Sequence, residues 1–192
     1  MGAGDMPLFD GAGGRKYVCG TELPRFLSAA SRAEAPIRIF CHLLAFTGCR
    51  LSEARELTPA QIDAETGRVV FRTLKRRKLT FRAVPVPPSL LADLLGYARG
   101  RAAGERLWPW CRQTAWRHVK ATMAAAGIVG TQASPKGLRH GFGVANAQES
   151  VPMATTQKWL GHAKLETTAI YQQAIGAEER AFAERLWKQW KG

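Results

Sequence analysis

One stretch of this chain alternates between polar and apolar residues as β-strands do, and it lies between segments whose apolar residues have helical spacing. From Arg68 to Val86, two alternating runs flank a basic turn, and Pro85 stands near the end of the second run. Strict alternation over a short run predicts a half-buried strand, so we expect an antiparallel hairpin here. Ile62–Asp63 is predicted to add a third short strand. The pattern therefore limits the chain to one small sheet, with the rest of the fold helical.

Helical periodicity and helix-boundary residues predict the remaining elements. The predicted helices span about residues 21–30, 36–46, 53–57, 89–99, 113–126, 137–149, 153–160, 167–174 and 177–190. We place N-caps at Thr21 and Ser52, and a helix end at Gly48. Residues 1–16 are Gly-rich without apolar periodicity, so we expect a flexible tail followed by one domain over residues 17–192. The predicted fold class is α+β, mostly α-helical, with one small three-stranded antiparallel sheet.

The charge balance is the property of the composition that bears most on function. The chain has 192 residues, with 28 Lys and Arg against 15 Asp and Glu, which gives a formal net charge of +13. Such an excess on a small domain favours a polyanionic partner, with nucleic acid first and an anionic membrane second. The hydrophobic content of 46% is enough for a core and argues against an intrinsically disordered chain.

The cysteines and the apolar runs argue against several other classes. The four cysteines are scattered without a Cys-x-x-Cys pair, which disfavours a zinc site and a disulfide framework. No apolar run approaches the ~20 residues of a membrane span. The N-terminus has no charged segment followed by an apolar one, as a signal sequence would. We therefore expect a cytoplasmic protein with reduced thiols, no membrane association and no metal or other cofactor.

Five short segments, far apart in the sequence, carry polar side chains suited to one kind of chemistry. They are Thr47–Glu53 (Thr-Gly-Cys-Arg-Leu-Ser-Glu), the basic hairpin around Lys75, Lys136–His140 (Lys-Gly-Leu-Arg-His), Leu160–His162 (Leu-Gly-His) and Thr167–Tyr171 (Thr-Thr-Ala-Ile-Tyr). Arginine presents parallel N–H donors that grip two phosphate oxygens and stays charged at any working pH. A tyrosine hydroxyl can attack phosphorus, and the resulting phosphotyrosyl bond conserves the energy of the broken strand. Such a set suits cleavage of a DNA phosphodiester.

In this order, the five segments resemble the tyrosine recombinase (phage-integrase) family over about residues 17–190. The resemblance implies the fold of the family's catalytic domain and a metal-independent transesterification with Tyr171 as the nucleophile. The products would be a 3′-phosphotyrosyl link and a free 5′-hydroxyl, followed by rejoining in site-specific recombination or integration of a mobile element. Two alternatives stay open: relaxation like that of a type IB topoisomerase, and a non-catalytic DNA-binding regulatory module of the same fold.

The resemblance assigns a role to each polar residue of the motifs. Arg50 and Arg139 clamp the attacked phosphate and stabilise its transition state. Glu53 lies one helical turn after Arg50, where a salt bridge can orient the guanidinium. His162 donates a hydrogen bond to the phosphate. Lys136 stands where the family usually has histidine; a lysine still donates to phosphate, but a base role would need its pKa to fall by several units.

A general acid is needed for the leaving 5′-oxygen, and in the family it is a lysine of the strand hairpin. We favour Lys75, at the end of the first predicted strand, over Lys78. The basic residues of the hairpin predicted to contact DNA are Arg72, Arg76, Arg77, Lys78 and Arg82. His140 is expected to order its helix rather than to contact the phosphate.

The ends of the chain bear on partners. The last predicted helix carries an apolar face made of Phe182, Leu186, Trp187 and Trp190. It either packs on its own domain or docks on a neighbouring subunit, so a homo-oligomer on double-stranded DNA is expected, with a partner recombinase or accessory protein as a further possibility. Typical family members carry a separate N-terminal DNA-gripping domain, and residues 1–16 are too short to form one, so the chain is either a minimal single-domain member or an excised fragment. DNA affinity is then expected to be weak and steeply salt-dependent.

Overall fold

The fold is known from a computed structural model, which describes residues 8–73, 80–174, 183–184 and 186–190. Its elements are α1 (Glu22–Ser31), α2 (Ala35–Thr47), α3 (Leu51–Arg55), β1 (Ile62–Asp63), β2 (Arg68–Arg72), β3 (Phe81–Pro85), α4 (Pro88–Ala98), α5 (Arg112–Ala125), α6 (Pro135–Gln148), α7 (Met153–Leu160) and α8 (Glu166–Ala169). Short 3₁₀ helices span Pro59–Gln61 and Ile170–Ala174, and residues 183–184 and 186–190 are helical. Within the described residues, the predicted elements are present to within about two residues at each end.

The three strands form one antiparallel sheet in the order β1-β2-β3, which confirms the predicted sheet. Val69 pairs with Val84 and Phe71 pairs with Arg82, and these four side chains are buried. The alternate positions of β2 and β3 point to solvent at both strand ends. The tip of the hairpin, residues 74–79, lies outside the described residues.

The core is organised around α2, which packs against α1, α4, α5 and α6. Its buried face includes Phe40, Leu43 and Leu44. Trp108 is fully buried against this face, with its ring centroid 5.0 Å from that of Phe40, and its indole N–H donates to the Pro36 carbonyl at 2.9 Å. That bond satisfies the one polar atom of the indole, so the largest side chain of the core is buried without an unmet donor. No helix among the described residues has the length and apolarity that a bilayer crossing requires.

Part of the predicted N-terminal tail is packed on the domain instead. Residues 8–16 form a narrow turn, in which the Lys16 amide donates to the Leu8 carbonyl at 2.7 Å. The Asp10 carboxylate closes this turn by accepting backbone N–H groups, and Thr131 donates to the same carboxylate at 3.2 Å. Leu8 is buried in a small apolar cluster that includes Tyr171. Residues 8–16 are thus packed on the domain where the sequence predicts a flexible tail. The single apolar anchor, Leu8, carries no periodicity that a sequence pattern could register.

Candidate active site

Arg139 lies in the interior and ties together the ends of two helices. Its side chain extends from α6 and donates to the Gly48 carbonyl at 2.8 Å and to the Leu160 carbonyl at 2.7 Å. Helices α2 and α7 both end on a glycine in the left-handed conformation, Gly48 and Gly161, with φ of 59° and 66°. A cation suits the carbonyl-rich C-terminal end of a helix. Burial, together with the charge of nearby Arg50, lowers the pKa of Arg139 to about 10, so the side chain remains charged at neutral pH.

Glu53 is a buried carboxylate shared by two arginines. Arg50 donates to it through its guanidinium at 2.8 Å and through its backbone N–H at 2.8 Å. Arg82 donates through both terminal nitrogens, at 2.6 and 3.2 Å. Burial alone would raise the pKa of Glu53, but the hydrogen bonds and charges of Arg82 and Arg50 outweigh it and hold the pKa below its usual value. The expected salt bridge from Arg50 to Glu53 is therefore present, and the carboxylate is ionised at neutral pH.

The contact with the Arg50 backbone also corrects the predicted helix start. Helix α3 begins at Leu51, with Arg50 in the N-cap position, and Glu53 accepts the Arg50 amide hydrogen. Ser52 is therefore inside the helix and is not its cap. At the start of α1, Thr21 does occupy the predicted N-cap position, although its side chain makes no capping bond.

The placement of Arg82 does not fit the DNA contact that we predicted for it. Its side chain is 4% exposed, and beyond its bonds to Glu53 it donates from Nε to the Trp159 carbonyl at 2.7 Å. Residues of β3 alternate between faces, and Arg82 shares the inner face with Val84. The prediction considered the charge of Arg82 but not the face of the strand on which the alternating pattern places it. Arg72, at the end of β2, is exposed as a DNA contact requires.

Tyr171 is buried beside the histidine and arginines of the motifs. It lies in the 3₁₀ helix Ile170–Ala174 and is 1% exposed. Its ring stacks on His162 with centroids 6.1 Å apart and planes at 19°. Burial raises the pKa of Tyr171, while Arg139 and Arg50 act in the opposite direction. The structure thus brings together Arg50, which lies early in the chain, with Arg139, His162 and Tyr171 from its later part, so that a neutral phenol lies among fixed cations.

His140 is the residue whose position sequence reasoning missed. Its Nδ1 lies 3.2 Å from the Tyr171 hydroxyl oxygen. Burial and the charges of Lys136 and Arg139 lower the pKa of His140 to about 4, so the ring is neutral at neutral pH and Nδ1 can accept the tyrosine hydrogen. His140 adjoins Arg139 in sequence, but no local pattern indicates that Tyr171 packs on that side of α6.

His162 is also a neutral imidazole. Burial, followed by the charges of Arg139 and Arg50, lowers the pKa of His162 to about 3. Its Nδ1 lies 2.9 Å from the Thr168 hydroxyl, which holds the ring in place over Tyr171. A neutral imidazole with one nitrogen engaged in this way has a defined orientation, which a donor to a phosphate oxygen needs.

The remaining predicted residues lie around this cluster or outside the described part of the chain. Lys136 is exposed in the first turn of α6. Lys75, Arg76, Arg77 and Lys78 lie outside the described residues. The residues on either side of that gap, Thr73 and Thr80, line a cavity of about 300 Å³ together with His162. The last described residue before the hairpin tip and the first described residue after it therefore lie next to the cluster.

The donor set favours chemistry by cations and a phenol. Among residues 8–73, 80–174 and the short helical pieces near the C-terminus, His, Cys, Asp and Glu form no group of three or more that could hold a metal ion. What the cluster offers is two guanidinium groups, two neutral imidazoles and a phenol. Fixed cationic donors of this kind stabilise charge that develops on a phosphate.

Gly143 gives a direct test of how tightly Tyr171 is packed. A Cβ built on Gly143 would lie 2.5 Å from ring atoms of Tyr171. Gly143→Ala should therefore displace the tyrosine and destabilise the protein by about 1–3 kcal/mol, because overpacking outweighs the gain in helix propensity. Gly96→Ala, in α4 with no atom within 4 Å of its Cβ, should stabilise by about 0.5–1 kcal/mol. Urea unfolding of both variants measures the difference, and equal stabilisation would contradict the close contact.

The fold agrees with that of known proteins to which the chain is similar in sequence and structure. The model of the phage integrase family matches residues 16–177. The chain therefore belongs to the phage integrase family, and the resemblance drawn from its motifs is confirmed.

Three relatives illustrate the similarity. The chain is 29% identical over 183 residues to tyrosine recombinase XerA of Pyrococcus furiosus, which covers 88% of this chain and 61% of the relative. It is 33% identical over 183 residues to tyrosine recombinase XerD of Mycobacterium tuberculosis, and this match covers 86% of the chain and 53% of the relative. The crystal structure of XerH site-specific recombinase bound to palindromic difH substrate, a post-cleavage complex, superposes with a TM-score of 0.75 at 23% identity, over 90% of this chain and 53% of that one. The chain thus shares their fold and spans between half and two thirds of their length.

Proposed function

We propose that this chain is the catalytic domain of a site-specific DNA recombinase that cuts and rejoins DNA through Tyr171. The observation that carries the proposal is the burial of the Tyr171 hydroxyl among Arg139, Arg50 and His162, in a chain that belongs to the phage integrase family. The net charge of +13 suits a DNA partner. The XerH relative was crystallised with its DNA substrate, which supports the same class of partner here.

In the proposed reaction, the Tyr171 oxygen attacks phosphorus and the bond to the 5′-oxygen breaks. Arg50 and Arg139 stabilise the five-coordinate transition state, and their charges favour the phenolate as the hydroxyl gives its proton to the neutral His140 imidazole, whose Nδ1 lies 3.2 Å from the hydroxyl oxygen. A hairpin lysine, Lys75 ahead of Lys78, gives the leaving 5′-oxygen its proton. Attack of a 5′-hydroxyl from the same or another strand on the phosphotyrosyl bond restores the DNA. We propose that the strand exchange serves integration of a mobile element.

A change of conformation must precede attack. The side chains of Tyr171 and Arg139 are almost wholly buried, whereas the Arg50 side chain is 24% exposed. A DNA phosphate can therefore approach Arg50 first, and it reaches Tyr171 only after the 3₁₀ helix that carries the tyrosine has shifted. Such gating steps are common in enzymes whose site closes around substrate.

The proposed assembly on DNA involves a second copy of the chain. Leu186, Trp187 and Trp190 are 49%, 45% and 73% exposed in the helical residues near the C-terminus. Large apolar side chains exposed together on one short segment mark a docking element. We propose that this segment binds a neighbouring copy on DNA. If a different recombinase or an accessory protein binds this segment instead, strand exchange will occur only when that protein is added.

Covalent trapping on supercoiled plasmid tests the proposed function. The plasmid carries the DNA that flanks the gene, and the reaction runs at low salt with a chelator before an SDS quench. Protein–DNA adducts together with relaxed plasmid are the expected result. Band shifts without adducts would instead support a non-catalytic DNA-binding module, and adducts that need added metal would contradict the proposed mechanism.

The general acid is tested on an oligonucleotide that carries the mapped cleavage site. Lys75→Ala should slow cleavage of ordinary DNA by ~10²–10⁴-fold, because the leaving oxygen then departs without its proton. A 5′-bridging sulfur needs no proton and should restore the rate. Arg77→Ala is the matched control, since loss of a DNA contact slows both substrates alike. Rescue confined to Lys78→Ala would assign the role to Lys78.

A further inference from the structure

Arg82 hydrogen-bonds from its own strand, β3, to residues of two helices, α3 and α7. From β3 its guanidinium reaches the Glu53 carboxylate on α3 with two parallel bonds, and its Nε reaches the Trp159 carbonyl near the end of α7. The plane of the guanidinium packs over the Phe71 ring, 5.1 Å from its centroid. A fork with this many bonds has one orientation only, which a lysine could not reproduce.

Glu53 passes this constraint on to Arg50. A carboxylate has about four lone-pair sites, and here it receives four donors: two nitrogens of Arg82, and the Nη1 and backbone N–H of Arg50. The carboxylate is buried and cannot turn without breaking bonds to both arginines. The position of the Arg50 guanidinium therefore depends on Arg82, although the two arginines share no hydrogen bond.

The charges lead to the same dependence. Arg50 and Glu53 alone form a neutral pair, which would attract a phosphate weakly. With Arg82 included, the buried group of three carries a net positive charge, and Arg50 is its most exposed member. Arg139 and the Cys49 thiol also face this carboxylate; the first adds a positive charge and the second stays neutral because burial raises the pKa of Cys49 to about 12.

The bond to Trp159 extends the link to the other side of the site. Trp159 is followed by Leu160, whose carbonyl accepts from Arg139, and then by Gly161 and His162. A Cβ on Gly161 would lie 3.1 Å from side-chain atoms of Arg82, so the turn that leads to His162 rests directly on the arginine.

We propose that Arg82 is a positioning residue, which fixes Arg50 through the shared Glu53 carboxylate and keeps the Arg50 charge available to the scissile phosphate. The inference rests on the proposed cleavage function. It replaces the direct DNA contact that the basic hairpin suggested for Arg82.

A positioning role and a direct DNA contact predict different effects of replacing Arg82: the first changes the cleavage rate, and the second changes the affinity for DNA. At saturating plasmid DNA, Arg82→Gln should lower the single-turnover rate of adduct formation by at least ~10-fold and change the apparent Kd for DNA by less than ~2-fold. Arg72→Gln is the matched control from the same sheet, where loss of an exposed phosphate contact should weaken binding and flatten its salt dependence. If Arg82→Gln shows weaker binding with the rate at saturation kept, the proposal is overturned.

A compensating substitution separates positioning from a general loss of structure. Arg82→Gln leaves the Glu53 charge to neutralise Arg50, whereas the double variant Arg82→Gln/Glu53→Gln removes that charge. The double variant should therefore cleave faster than Arg82→Gln alone, and additive losses would refute the shared-carboxylate argument. Should Arg82→Gln fail to fold, Arg82→Lys keeps the charge without the fork, and it should show a smaller loss of rate with DNA binding retained.

A measurement without DNA keeps this inference separate from the proposed function. If the wild-type protein forms no adduct, the proposed function fails. Urea unfolding of Arg50→Gln, Arg82→Gln and the variant that combines these two substitutions still measures the energetic coupling between Arg50 and Arg82. The expected result is that the loss of stability in the double variant differs from the sum of the single losses. Additive losses would mean that Glu53 does not couple the two arginines.

Discussion

Tyr171→Phe is expected to abolish covalent attachment to DNA while leaving DNA binding within about twofold of wild type. Phenylalanine keeps the ring that stacks on His162 and fills the same apolar cluster, so the surrounding packing is retained. The hydroxyl is lost, and with it the only oxygen at this position that can attack phosphorus. His140 loses a hydrogen-bond partner, which costs about 1–3 kcal/mol of stability at most. The measurement is the SDS-resistant adduct on plasmid DNA, with band shifts on the same DNA.

The other tyrosines supply the control for this experiment. Tyr97 packs beside Trp108 with centroids 5.7 Å apart, and Tyr17 lies against Phe9, so neither is among the motif arginines. Tyr97→Phe should keep full adduct formation. Adducts that persist in Tyr171→Phe and disappear in another tyrosine variant would place the nucleophile elsewhere and refute the proposed mechanism.

What the sequence could predict here was local or periodic. The hairpin strands, the third strand and the helices follow from alternation and helical spacing. Where an end lies among the described residues, it is within about two residues of the predicted one. The Arg50–Glu53 salt bridge follows from a three-residue spacing at a helix start. Both kinds of inference concern residues whose relative positions are determined by a single helix, strand or hairpin.

What could not be predicted depends on how elements pack. The contact of His140 with Tyr171 joins α6 to a 3₁₀ helix 31 positions later, and no spacing rule describes it. Leu8 is buried because it meets the cluster around Tyr171, a single contact without period. Arg82 is a different case. The alternating pattern of β3 places it on the inner face with Val84, but we predicted a DNA contact because Arg82 is charged and lies in a basic run. For the burial of a strand residue, the alternating pattern is thus stronger evidence than the charge of its side chain.

Arg139→Ala is expected to lower the rate of adduct formation by at least ~10²-fold, the scale of losing one fixed donor to a transition state. The loss here has a second source, because Arg139 also donates to the carbonyls of Gly48 and Leu160. Removing it leaves both carbonyls without that donor in a buried site and costs about 1–3 kcal/mol for each. The two carbonyls lie at the C-terminal ends of α2 and α7, two residues before Arg50 and His162 respectively. If these helix ends shift, Arg50 and His162 move with them.

Arg139→Lys separates the charge from the fork. An ammonium retains the positive charge but is a single point donor, so it cannot reach the carbonyls of both Gly48 and Leu160 and also present parallel donors to phosphate. The rate should therefore stay well below wild type, while stability at neutral pH recovers in part relative to Arg139→Ala. Single-turnover cleavage on folded protein, with the folded fraction checked by urea unfolding, measures both effects. A lysine variant with wild-type rate would show that charge alone is needed, and it would remove the geometric role assigned to the guanidinium at the junction of α2, α6 and α7.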